Sequence, residues 1–221
     1  MVEAGDVVLL CLAALLAGWV DAVSGGGGLI QLPALLLLVP GGSPAQVLAT
    51  NKLSSVCGTS AAAATYYRRV RPDLRTALPM AVAAAGGAAA GAGWVSLLPS
   101  EVFRPVVLVL LVAVAAYTLA KPEVGAEQQL RWTGRRHYAA AVLAALALGF
   151  YDGIFGPGTG SFLVFALVGL LGYSFLQASA KARVVNLATN LGALAVFVPQ
   201  GAPLWTVGLA MGACNITGGW L

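Results

Sequence analysis

The stretch GWVDAVSGGGGLIQLP at residues 18–33 decides how this chain folds, together with a second stretch, GFYDGIFGPGTGSFLVF at 149–165. In the first, four consecutive glycines interrupt a strongly apolar run, with Asp21 just ahead of them. Glycine is a poor helix former, so the run predicts a break in an otherwise continuous helix. In the second, Gly156, Gly158 and Gly160 follow Asp152 in the same manner. Gly18 and Asp21 match Gly149 and Asp152, and the glycines align if one residue is inserted.

The likeness continues downstream. SPAQVLATNKLSS at 43–55 faces SFLQASAKARVVN at 174–186, with Ser43, Gln46, Ala49 and Lys52 matching Ser174, Gln177, Ala180 and Arg183. The spacing between matched residues is 131. A fixed internal period marks a duplicated structural unit. We therefore read residues 1–120 as a first repeat, 121–137 as a linker and 138–221 as a second repeat. The first copy runs through PMAVAAAGGAAAGAGW into a further apolar segment at 103–120, whereas the second ends at LAMGACNITGGWL. The counterpart of that last helix is expected to be lacking.

Composition sets the medium. The 221 residues are 59% hydrophobic and 9% charged, with mean hydropathy +0.88. Soluble domains carry about 25% charged residues, so this chain has too few to cover a soluble surface. Apolar segments fall at 7–22, 28–39, 45–66, 74–98, 103–120, 138–154, 160–172, 177–198 and 204–221. A spanning helix needs about 20 apolar residues. The segments 28–39 and 160–172 are short for that, and each directly follows a glycine break. The fold class expected is an all-α, polytopic membrane protein with glycine-broken helix pairs. The acidic start MVEAGD lacks the basic region of a cleaved signal peptide. The net charge of +4 comes from clusters between apolar runs, which is no nucleic-acid signal.

Those clusters orient the chain. RRVRPDLR at 68–75 and KPEVGAEQQLRWTGRRH at 121–137 are both rich in basic residues. Basic loops stay in the cytoplasm, so the expected arrangement in the inner or plasma membrane has the loops 67–75 and 121–137 cytoplasmic and the N-terminus outside. The second copy then starts from the opposite side and is inverted. Its equivalent of the arginine loop, PQGAP at 199–203, has no basic residue, as an outside loop requires. Inverted repeats with interrupted helices characterise secondary transporters.

Backbone opened at membrane depth must be buried in protein or line a wet cavity. The segments after the breaks, from about Leu29 and from Gly160–Ser161, present helix N-termini whose free N–H groups attract anions. Intramembrane charges are costly and carry a functional reading by default; here they are Asp21, Lys52, Asp152, Lys181 and Arg183. Lys52 and Arg183 can draw an anion toward the two N-termini, while Lys181 faces another side. A structural pairing of Asp21 with Lys52 and of Asp152 with Arg183 is the competing reading. Asn51, Asn186, Thr189 and Asn190 add neutral polar groups, for which helix–helix hydrogen bonding is the plainer role. The glycines could instead serve close packing, as expected for AGGAAAGAG at 85–93. GGGG and GPGTG lack the strand and the GK[ST] ending of a nucleotide-binding loop.

Cys11, Cys57 and Cys214 lie in separate apolar segments without metal-ligand or disulfide spacing. His137, beside Arg135 and Arg136, reads as an interfacial residue. No cofactor or metal is expected, and no His/Cys cluster or serine triad suggests an enzyme.

DAVSGGGGLIQLPALL with ATNKLSS, then GFYDGIFGPGTGSF with KARVVNLATNLGAL, resembles the TauE/SafE-type sulfite exporter family, also called the toluene-sulfonate uptake permease family. The resemblance covers nearly the whole chain and is nearest to its branch of probable membrane transporters. It implies a transporter of two homologous halves moving sulfite, sulfonates or other small organosulfur anions. The expected substrate site comprises Gly25, Gly26, Gly27, Gly28, Asn51, Lys52, Gly158, Gly160, Ser161, Arg183 and Asn186. Asp21 and Asp152 are the candidates for proton coupling. The expected partners are a small anion, the lipid bilayer and H+, with no nucleic acid; the sequence leaves the oligomeric state open. The alternative is a membrane scaffold that transports nothing, whose breaks would be filled by side chains.

Overall fold

The computed structural model describes residues 3–95, 97–120 and 128–220. Among these, the chain forms nine α-helices and no strand: α1 (Ala4–Ser24), α2 (Gly28–Leu38), α3 (Pro44–Val70), α4 (Leu74–Val95), α5 (Ser100–Ala120), α6 (Gly134–Ile154), α7 (Thr159–Gly169), α8 (Phe175–Phe197) and α9 (Trp205–Trp220). The apolar segments read from the sequence reappear with ends shifted by a few residues. Residues 121–127 of the expected linker lie outside the described residues. Its last four residues already belong to α6.

The chain is a polytopic, all-helical membrane protein. Among the described residues, α1, α4 and α6 are each long and apolar enough to cross a membrane. Leu9, Leu12, Leu16 and Trp19 on α1, and Leu108, Val109 and Val112 on α5, are each more than half exposed. Such broad exposed apolar surface is disfavoured in water and suits lipid.

Capping chemistry explains the starts of the middle helices. Ser43 caps α3, its hydroxyl accepting from the Gln46 N–H at 3.2 Å, with Pro44 at the first helical position. Ser174 occupies the matching place ahead of α8. A left-handed glycine follows each broken helix, Gly25 (φ 82°) directly after α1 and Gly156 (φ 89°) one residue further on after α6, a conformation that favours glycine. These two positions are 131 apart, as are the first residues of α2 and α7. The inserted residue expected from the glycine alignment is therefore absent. The period runs unbroken, and Thr159, not Gly160, is the counterpart of Gly28.

The copies interlock. α4 packs chiefly on α6 and α8 of the second copy, and its counterpart α9 packs on α1 and α3 of the first. These seams are made by small residues. A Cβ on Gly87 would meet the Leu146 carbonyl, and one on Gly149 or Gly153 would meet the Ala84 or Ala88 carbonyl. The matching seam sets Gly18 against Asn215 and Gly218 against Leu15. The Ala/Gly stretch 85–93 is thus a packing surface, as expected.

α3 and α8 lie side by side in opposite senses. The start of α8 reaches the end of α3, where Lys181 Nζ donates to the Asp73 carbonyl at 2.9 Å. At the start of α3, the Thr50 hydroxyl accepts from the N–H of Leu204, just ahead of α9.

One end of the bundle carries a polar cluster that the sequence did not suggest. His137 is buried within the protein at this end, and its Nε2 shares a 2.7 Å hydrogen bond with the Tyr173 hydroxyl. That hydroxyl donates to Thr76 Oγ1 at 3.5 Å, and Thr76 donates to Asp73 at 2.8 Å. Lys181 is fully buried, 3.7 Å from the Asp73 carboxylate, and does face away from Lys52's surroundings. Linker residues join the same end, with the Gln129 N–H donating to the Gly172 carbonyl at 2.9 Å.

The Asp73 carboxyl sits below its ordinary value. Burial pushes it up, but the Thr76 hydroxyl, the Arg75 N–H and the Lys181 ammonium together outweigh that. A depressed carboxylate contributes stability above its unfolded pKa and loses it as pH falls through the folded value. Unfolding in detergent is expected to show this contribution intact at neutral pH and lost below about pH 4, the ordinary aspartate value. Asp73→Asn should flatten that acid dependence. An unchanged acid limb would refute the assignment.

Candidate functional site

The two glycine breaks meet in the middle of the bundle. A Cβ on Gly25 would lie 2.8 Å from the Gly160 carbonyl carbon, and one on Gly160 would meet the Gly25 carbonyl oxygen. Only glycine allows this backbone-to-backbone approach. Gly27 and Gly158 precede the first residues of α2 and α7, so two helix N-termini lie beside the crossing.

Charge surrounds the crossing. Lys52 lies eight residues after the start of α3, and Arg183 eight after the start of α8, each about 12 Å along its helix. Both are buried. Lys52 Nζ is 2.5 Å from Asp152 Oδ2, and Arg183 Nη1 is 3.3 Å from Asp21 Oδ2. The within-copy pairing considered from the sequence is therefore wrong: each cation is held by the aspartate of the other copy. The reason is the interlock, which brings α3 of one copy and the broken helix of the other to the same place.

The partners differ in their surroundings. Asp21 also accepts from the Gly27 N–H at 3.3 Å, so the first break's N-terminus already holds a carboxylate of its own copy. Arg183 donates to the Ala22 carbonyl at 3.2 Å and lies over the Tyr66 ring, 5.6 Å from its centroid. Its Nε is buried with no hydrogen-bond partner, as is the side-chain oxygen of Asn51.

Between the pairs lies a cavity of about 20 Å³, the room of about one water molecule. Of the residues expected from the sequence, Asp21, Gly25, Gly27, Gly28, Asn51, Lys52, Asp152, Gly158, Gly160 and Asn186 line it. Gly26, Ser161 and Arg183 are not in its wall; Arg183 stands behind Asp21. Thr189 is buried and donates to the Asn186 carbonyl within its own helix, not across to another helix as expected.

The sequence reading omitted several lining residues. Ser55 and Thr59 follow Lys52 at three and seven positions, as Asn186 and Asn190 follow Arg183. That spacing sets three residues on one helix face, so each copy presents a cation with two neutral polar groups below it. The face spacing and the period of 131 together carry this signal. Asn215 of α9 also lines the cavity, but its counterpart is Ala84, so the repeat gives no hint of it. A Cβ on Gly58 would clash with the Asn215 side chain, which explains the glycine there.

A profile of the sulfite exporter TauE/SafE family matches residues 10–221. The chain belongs to the TauE/SafE sulfite exporter family. It is 40% identical to the probable membrane transporter protein ORF9 of a Sinorhizobium species, over 96% of this chain and 80% of that protein. It is 36% identical to the probable membrane transporter protein YfcA of Escherichia coli K12, over 92% and 74%. A probable membrane transporter protein of Haemophilus influenzae is 37% identical over 96% and 81%. No solved structure matches. TauE/SafE membership and relatives of these descriptions make the chain a membrane transport protein, consistent with a buried polar centre inside an apolar bundle.

Proposed function

We propose that this protein is a secondary transporter for a small anion, with sulfite, a sulfonate or another organosulfur anion as cargo. The observation that carries this reading is the polar cavity at the crossing of the breaks, lined by Lys52, Asp152 and Asp21, with Arg183 behind Asp21. The scaffold alternative expects breaks filled by side chains; here they border a polar cavity instead. A cavity of about 20 Å³ does not admit such an anion while both pairs are closed. The anion therefore enters by drawing a cation away from its carboxylate, which makes Asp21 and Asp152 the candidates for taking up protons.

The copies are inverted in this reading. The opposed senses of α3 and α8 and the exchange of α4 and α9 support it. The arginine-rich loop 67–75 and the linker 121–137 face the cytoplasm and the N-terminus lies outside, following the positive-inside rule.

The test is flux in proteoliposomes holding the full chain, with sulfite and methanesulfonate compared against chloride. A saturable, selective flux is expected for at least one sulfur anion. Lys52→Ala should reduce it about tenfold or more, the loss of one charged hydrogen bond. Flux without selectivity, or unaffected by Lys52→Ala, would overturn the assignment.

A further inference from the structure

The two ion pairs hold equivalent positions but differ in chemistry. Arginine keeps its proton in proteins, while a buried lysine is a compact charge on a flexible stem. Arg183 is tethered to α1 at two points, the Asp21 carboxylate and the Ala22 carbonyl, and is covered by the Tyr66 ring. Asp21 has a second donor in the Gly27 N–H, so it stays partnered if the arginine moves. Among the described residues, the other pair has neither support. Lys52 and Asp152 both line the cavity, whereas Arg183 does not. Lys52 Nζ holds Asp152 Oδ2, and among the described residues that oxygen has no other donor.

We propose, resting on the transport reading above, that Lys52–Asp152 is the single working pair and Asp21–Arg183 a fixed tie between the copies. An incoming monoanion takes Lys52 from Asp152. Asp152 is then a buried carboxylate without a cation, and it accepts one proton from the aqueous side to which the cavity is open. The bound state holds one additional anion and one additional proton, so charge in the site is unchanged. Release returns the anion, the proton leaves Asp152, and Lys52 closes on it again. Anion and proton therefore travel together, one for one, and Asp21 carries none.

Among the described residues, no other acid or base faces this pair. α1 contributes Asp21, already tied, and α8 contributes Arg183, while Lys181 is turned to Asp73. Tyr151 on α6 donates to the Pro157 carbonyl at 2.8 Å. α2 and α7 contain no acid or base, α9 only the Cys214 thiol, which faces Cys11. The ionisable side chain of α4 is Arg75 in its first turn, and Glu101 and Arg104 of α5 are in its first two turns.

Two measurements on the full chain test this. The first uses methanesulfonate, which stays a monoanion at working pH, so protons counted with a pH-sensitive dye belong to the protein. A ratio of about one proton per anion is expected in the wild type and in Asp21→Asn, and a ratio near zero in Asp152→Asn. A ratio lost in Asp21→Asn but kept in Asp152→Asn would overturn the proposal. The second needs no cargo: infrared spectra of the carboxyl C=O band in detergent at neutral pH, with Lys52→Ala standing in for the departed cation. A protonated carboxyl band absent from the wild type is expected in Lys52→Ala; it should vanish when Asp152→Asn is added and persist when Asp21→Asn is added, and the reverse pattern would overturn the proposal. Absence of any methanesulfonate or sulfite flux in the wild type would count against the transport reading alone, and the infrared spectra would still decide which aspartate takes the proton.

Discussion

Lys52→Ala is expected to destabilise the protein by about 3–5 kcal/mol, the cost of leaving one member of a buried ion pair without its partner. Asp152 would remain in the cavity wall, 2% exposed, with its cation gone. The rescue pattern is the informative part. Adding Asp152→Leu removes the stranded charge, and replacing a whole buried pair with apolar side chains is often neutral, so the double variant should recover most of the loss. Adding Asp21→Ala instead should make matters worse, because it strands Arg183 as well. Thermal unfolding in detergent for the singles and doubles gives the two coupling energies. Coupling of Lys52 to Asp21 rather than to Asp152 would contradict the crossed arrangement.

Gly25→Ala should be nearly as damaging. The new methyl would sit 2.8 Å from the Gly160 carbonyl carbon, on a residue with φ of +82°. Overpacking typically costs about 1–3 kcal/mol, and an alanine forced to positive φ adds about 1 kcal/mol. The expected loss is about 2–4 kcal/mol. Gly160→Ala should act similarly through the Gly25 carbonyl. Gly93→Ala is the control: nothing lies within 4 Å of its Cβ position, and in a helix interior alanine should raise stability by up to about 1 kcal/mol. Equal effects at positions 25 and 93 would mean that the breaks are not in contact.

Much of this was legible in the sequence. Glycines inside apolar runs marked both breaks, and the spacing of 131 paired Lys52 with Arg183. What escaped has physical reasons. A repeat shows which residues are equivalent, but not which copy a side chain reaches. Lys52 finds Asp152 because α3 and α8 pack together while α4 and α9 trade places, and such long-range packing leaves no local trace. The false insertion arose from matching glycines by composition. Positive φ, at Gly25 and Gly156, fixes the register. The two arginines ahead of His137 gave no hint that its ring is buried against Tyr173.

The exchange of α4 and α9 has a consequence for the integrity of the chain. α4 lies on α6 and α8, and α9 on α1 and α3, so each half leaves an open seam that only a helix of the other half fills. Neither half closes its own bundle, and the glycine crossing at the centre exists only while both are in place.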